Sequence, residues 1–142
     1  MEKVRIETRE LHFSTHGEGD IIDLTNKVQK TLNELNLTKG TVTCFVPGST
    51  AGLTTIEYEP GLKKDLPILM EKLIPKRSNY HHNATWGDGN AFSHLRHALI
   101  GPSLTVPFSE GKLILGTWQQ IVFLEFDNTP RKRKVILQFI GI

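Results

Sequence analysis

YHHNATWGDGNAFSHLRHALIGPSLTVPFSEGKLIL, residues 80–115, carries four of the chain's six histidines in its first half and reads as loop, then helix, then strand. His81 and His82 open it. The run Trp86-Gly87-Asp88-Gly89-Asn90 is too rich in glycine for a regular element, and a short helical pattern with His94, Arg96 and His97 follows. On a helix over 92–100, at about 100° per residue, Phe92, Leu95 and Leu99 form one apolar stripe while His94 and His97 point away from it. That helix's own core face leaves both histidines unexplained. A ligand role, a solvated ring and a subunit contact all stay open for each. Gly101-Pro102 ends the helix, and SLTVPF and KLILG read as two strands of a hairpin around Ser109-Glu110-Gly111.

Working outward, residues 3–9 alternate Val4, Ile6 and Thr8 with charged partners, the period of a strand with one wet face. Asp20 is placed to cap a helix over 21–35, in which Ile21, Leu24, Val28, Leu32 and Leu35 recur every three or four positions. Asn36 and Gly40 end it. TVTCFVP, 41–47, is apolar and β-branched, as for a central strand covered on both sides. The small, hydroxyl-bearing Gly48-Ser49-Thr50-Ala51-Gly52 follows, either a plain turn or a place where N–H and hydroxyl groups converge on an anion. Residues 53–57 resume extended structure, and Pro60 opens a helix with Leu62, Leu66, Leu69, Met70 and Leu73 inward, kinked or divided at Pro67. Downstream, Gly116-Thr117-Trp118-Gln119-Gln120 interrupts an apolar region before IVFLEF, and Asp127-Asn128-Thr129-Pro130 turns into RKRKVILQFIGI. The C-terminal half is thus mostly antiparallel sheet.

At 142 residues the chain is expected to form one domain over 1–142. Seventeen Lys and Arg against fifteen Asp and Glu leave a net charge of +2, which argues against a dedicated nucleic-acid binder or a polybasic membrane protein. Cys44 is the sole cysteine, so no internal disulfide forms, and Val42, Phe45 and Val46 around it mark a small buried hydrophobe. No apolar run approaches the ~18 residues of a membrane span. MEKVRIETRE lacks the apolar core of a signal peptide, so a cytoplasmic protein is expected.

Histidines beside an Asp-Gly-Asn loop suit a metal, because neutral imidazoles bind zinc and carboxylates complete or orient the shell. His82 and His94 are the chosen ligands. They lie twelve positions apart and meet only through folding, since neither HExxH nor a Cys pair is present. Asp88 reads as a general base, a metal ligand or half of an Asp-Gly turn. Trp118 lines a pocket or fills the core, and Glu125 shares a strand face with Phe123, either wet or turned into a polar cavity. The basic run 131–134 reads first as a solvated sheet edge and second as a phosphate or nucleic-acid contact. GxSxG, GxxxxGK and GxGxxG are all missing.

Three ordered blocks, VPGSTAGLTTIEYEPGLKKDL at 46–66, YHHNATWGDGNAFSHLRHALIGPSLTVPF at 80–108 and GTWQQIVFLEFDNTPRKRK at 116–134, resemble the YjbQ-like family, some of whose members are described as secondary thiamine-phosphate synthases. The resemblance runs nearly end to end. It implies an α+β sandwich of mostly antiparallel, mixed β-sheets with flanking helices, a homotrimer, and histidine-lined sites holding a divalent metal, zinc in first place, on His82 and His94. Gly48 stands where one common form of the family has a histidine, Phe92 stands where many relatives have another, and His97 replaces a small residue. Water, Asp88 or His97 would then complete the shell. The implied function is an enzyme on a small phosphorylated substrate, with thiamine-phosphate synthesis as the reaction. Asp88 and Glu57 would serve as catalytic groups, and Ser49, Thr50, Asn90, Arg96, Trp118 and Gln119 would contact substrate. The alternative is a non-catalytic trimer that binds a metabolite or anion.

Overall fold

Alternation, not composition, decides which residues enter the core of the two sheets. The structure is a computed structural model and describes residues 2–142. Five strands form one antiparallel sheet in the order β1-β8-β3-β5-β6: β1 (Arg5–Thr15), β8 (Arg131–Gly141), β3 (Gly40–Phe45), β5 (Ser103–Ser109) and β6 (Lys112–Leu113). Three more, β2 (Ile21–Asp23), β7 (Gln120–Glu125) and β4 (Ala51–Ile56), form a second antiparallel sheet with β7 in the middle. Helix α1 (Thr25–Leu35) and the inward faces of both sheets enclose one core that includes Val28, Leu32, Val42, Cys44, Leu53, Phe123, Leu137 and Phe139. The other face of the small sheet, Val122 and Leu124 with Phe126 beyond it, packs on Met70 of α2 (Pro60–Leu73) and on Ile100 of α4 (Ala91–Ile100). The fold is therefore the α+β arrangement of antiparallel sheets with flanking helices that the sequence resemblance implies. No helix among the described residues is long and apolar enough to cross a membrane.

Several expectations need correction. The 21–35 helix begins at Thr25, because Ile21–Asp23 pairs with β7, and Asp20 accepts from the His16 backbone N–H instead of capping. Asp23 takes the first-turn duty, accepting from the Thr25 N–H and hydroxyl. β1 extends to Thr15, and its inward residues are Leu11, Phe13 and Thr15, so Val4 and Ile6 are exposed. β3 is central yet covered on one side only: Val42 and Cys44 are buried while Thr41 and Phe45 face out. Pro67 lies inside one continuous α2, whose Leu69 and Leu73 are exposed. α4 buries Phe92, Ser93 and Arg96 and leaves Leu95 and Leu99 in solvent, so the expected Phe92-Leu95-Leu99 stripe holds only at Phe92. Its approach to β4 needs Gly52, where a Cβ would sit 2.9 Å from Ile100 Cγ2. Gly40 makes the tightest contact of all, since a Cβ there would lie 2.1 Å from the Ile140 carbonyl oxygen.

Candidate functional site

The histidine pair is built by two short helices meeting at their ends. Residues 81–86 form α3 (His81–Trp86), not loop, because Gly87 at φ 70° closes the helix through its N–H to the Asn83 carbonyl. Asn83 then accepts from the Ala91 N–H at the start of α4 with its side chain, at 3.1 Å, which locks the two helices together. His82 and His94 consequently stand in edge-to-face contact, ring centroids 4.7 Å apart at 62°. The Asn90 amide is satisfied with its NH2 turned to His82 and Asp88: it donates to His82 Nε2 at 3.0 Å and to Asp88 Oδ1 at 3.0 Å. Asp88 is itself 3.7 Å from His82 Nε2, and its backbone carbonyl accepts from Asn128 at 3.1 Å.

Two imidazoles on one tetrahedral zinc have centroids about 5 Å apart, given Zn–N bonds of about 2.0–2.1 Å; the observed spacing is close to that, with His82 Nε2 accepting from the Asn90 amide. They make half a shell. Among the described residues no group of three or more His, Cys, Asp and Glu side chains is arranged to hold a metal ion. His97, a candidate for the remainder, donates from Nδ1 to the Ala51 carbonyl at 2.6 Å and serves to tie α4 to β4. A metal held there would need water, a substrate oxygen or a shifted Asp88 at its other positions.

Beside His94 and Asn90 opens a cleft of about 480 Å³ between the 47–50 bend and the start of β8. Its lining carries His12, His94, Arg131, Lys132, Arg133 and Lys134, with Ser49 and Thr50 opposite and no carboxylate side chain. Within β8 the 131–134 run pairs with β1 alone, because β3 reaches only to Ile136, and its unpaired side borders the cleft. Strand alternation sends Lys132 and Lys134 outward beside β1, and Arg133 inward on the same side as Val135, Leu137 and Phe139. Arg133 is 7% exposed and Glu125 1%. They form a buried ion pair: Arg133 Nε donates to Glu125 Oε1 at 2.9 Å and Nη2 donates to Oε2. The same Nη2 donates to the Thr50 hydroxyl at 2.8 Å, and that hydroxyl donates to Asp127 Oδ2 at 3.2 Å. Thr15 donates to Glu125 Oε1 at 2.6 Å, and Arg131 closes the network on Asp127 at 2.6 Å. Of the two readings of Glu125, wet or turned into a polar cavity, the second holds, and it anchors the network beneath the cleft; Arg133's buried place is what sequence reasoning missed.

Of the expected substrate contacts, Ser49, Thr50 and Asn90 line this cleft and the others lie elsewhere. Thr50 lines the cleft with its hydroxyl already committed, whereas Ser49 is exposed on the bend. Arg96 is no substrate contact: 1% exposed, it donates from Nε and Nη2 to the Ile74 carbonyl and from Nη1 to Glu18 at 2.9 Å. Glu57 and Gln119 sit at the far end of β4. Gln119 donates to Thr55 at 3.1 Å, five residues or about 17 Å of strand from Thr50. Trp118 beside it is 70% exposed, and neither it nor Glu57 joins the His94 cleft within one chain. Cys44 is fully buried, and burial pushes its thiol up to about 12, which removes it as a nucleophile.

Residues 9–142 match the family described as UPF0047 protein YjbQ-like. A UPF0047 protein of Archaeoglobus fulgidus is 42% identical over 129 residues, 91% of this chain and 98% of that protein. The UPF0047 protein YugU of Bacillus subtilis is 33% identical over 132 residues, covering 92% and 97%. Among solved structures, a YbjQ-like protein of Sulfolobus solfataricus superposes with a TM-score of 0.92 at 26% identity over 99% of this chain and 100% of that one. A YjbQ/UPF0047 protein of Clostridium acetobutylicum gives 0.80 at 34% identity over 91% and 98%.

Proposed function

The chain belongs to the YjbQ-like UPF0047 family, and for its cleft we propose the binding of a small phosphorylated metabolite by a homotrimeric, metal-assisted enzyme. One observation carries the reading: four basic side chains and two histidines line one cleft into which no carboxylate projects. Three of the basic groups have partners, Arg131 on Asp127, Arg133 on Glu125 and Lys134 on Glu10. Lys132 has none among the described residues, so the lining keeps a surplus of positive charge suited to phosphate oxygens. The trimer is supported by the uncovered outer face of the five-stranded sheet, where Ile6, Phe45 and Ile140 are exposed.

The first reaction to consider is thiamine-phosphate synthesis. There the thiazole nitrogen attacks the pyrimidine methylene carbon, and the carbon–oxygen bond to pyrophosphate breaks with its electron pair leaving on pyrophosphate. Lys132, Lys134 and the guanidinium of Arg133 are placed to hold that departing charge. A divalent ion on His82 and His94, when bound, adds positive charge at the rim of the same cleft. A non-catalytic metabolite-binding trimer is the second reading, favoured by Asp88, which is turned to Asn90 and is missing from the cleft lining.

Equilibrium dialysis against zinc, followed by an assay of pyrophosphate release from thiamine precursors, separates these. One ion per wild-type chain, lost in both His82→Ala and His94→Ala, together with zinc-dependent release, is the expected result. Zinc bound without pyrophosphate release would favour the non-catalytic trimer, and zinc retained by both variants would refute the metal centre.

A further inference from the structure

Arg133 has hydrogen-bonding capacity left over, and it is turned toward the cleft. Its Nε and Nη2 are taken by Glu125 and Thr50. Nη1 makes no hydrogen bond among the described residues, although the side chain is only 5% exposed. That nitrogen lies directly beneath residue 48, where a Cβ would sit 3.3 Å from it. Residue 48 is glycine, so no side chain from that position covers the nitrogen, and both Gly48 and Arg133 border the cleft. The φ of Gly48 falls outside the left-handed region, so backbone conformation does not require glycine there. Open space above a donor does.

We propose that Arg133 Nη1, left uncovered by Gly48, is the anchoring donor of an oxyanion subsite that takes a phosphoryl group, and that Gly48 sets its access. Resting on the phosphorylated-ligand reading above, the inference names one point within the cleft. A guanidinium fixed by a buried carboxylate and a threonine hydroxyl cannot swing away, so its free N–H bonds are aimed before any ligand arrives. Glu125 and Thr50 are then positioning residues, acting through Arg133. Lys132, Lys134 and His12 stand around the rim and supply attraction with less directional demand.

The test titrates inorganic phosphate into the full chain by calorimetry at low ionic strength. Wild type is compared with Gly48→Val, whose γ-methyls cover Nη1, and with Arg133→Met/Glu125→Met, which removes donor and carboxylate together. The double variant avoids stranding a buried charge, so the fold is expected to survive, with circular dichroism and thermal unfolding as the check. Saturable phosphate binding in wild type that weakens at least about tenfold in both variants is expected for loss of a charge-assisted hydrogen bond. Wild-type affinity retained in either folded variant would overturn the subsite while leaving the cleft's general phosphate attraction standing. No saturable binding by wild type would overturn both.

Discussion

Two buried arginines, Arg96 and Arg133, look alike by exposure, at 1% and 7%, and differ in what their nitrogens have left to give. Arg96 spends Nε and Nη2 on the Ile74 carbonyl and Nη1 on Glu18, with Glu71 3.8 Å away. All its directions end on protein, so it joins α4 to the end of α2 and to the β1–β2 loop. Arg133 ends two nitrogens on Glu125 and Thr50 and turns the third to a cleft. Burial and charge pairing therefore do not separate a structural arginine from a binding one. Unused donor capacity beside open volume does.

The largest expected effect sharpens that contrast on stability. Arg96→Ala removes two donors from the Ile74 carbonyl and one from Glu18, and should destabilise the chain by about 3 kcal/mol, read by urea unfolding. Phosphate affinity of the remaining folded protein should not change. An Arg96→Ala protein that is fully stable but defective in phosphate binding would reverse the roles assigned to the two arginines.

A smaller effect sits at the cleft rim. Glu10 accepts from His12 and pairs with Lys134, and these contacts, the His12 hydrogen bond first, hold its carboxyl below the usual value. A lowered folded-state pKa means the stabilisation is present above the ordinary carboxylate range and is lost as pH falls through the lowered value. Glu10→Gln should therefore narrow the difference in melting temperature between about pH 6 and pH 3, and only slightly, because exposed pairs are screened by solvent. A Tm difference between those pH values as large in the variant as in wild type would show that the rim contact contributes nothing.

How much of this was legible in the sequence follows from how local each feature is. His82 and His94 come together through neighbouring helices, so their spacing and the Gly87 and Asn90 breaks between them pointed to the pair. The antiparallel C-terminal half was readable because its turns are local, Glu110 and Gly111 both having positive φ at the β5–β6 hairpin. Arg133 was hidden in a run of four basic residues taken as one solvated patch. Its signal was available: it shares the odd-numbered parity of Val135, Leu137 and Phe139, the side of β8 that is buried. Glu125 could be assigned to the face of Phe123 but not to its partner, because β7 and β8 lie in different sheets and their facing depends on the packing of the sandwich. Arg96 was misplaced because Leu95 and Leu99 outweighed it in a hydrophobic pattern, whereas three hydrogen bonds to distant groups turn the helix the other way. Glu57, Trp118 and Gln119 were grouped with the cleft on residue type and chain position, and strand length separates them from it in one chain.

The most direct test of the claim that Arg133 is the binding arginine follows the guanidinium signals of 15N-arginine-labelled protein by NMR during a phosphate titration. Signals that move and saturate for Arg133, assigned by their loss in Arg133→Met/Glu125→Met, while those of Arg96 stay fixed, are the predicted result. Arg133 signals that remain still while phosphate demonstrably binds, or Arg96 signals that shift with the same saturation curve, would contradict it.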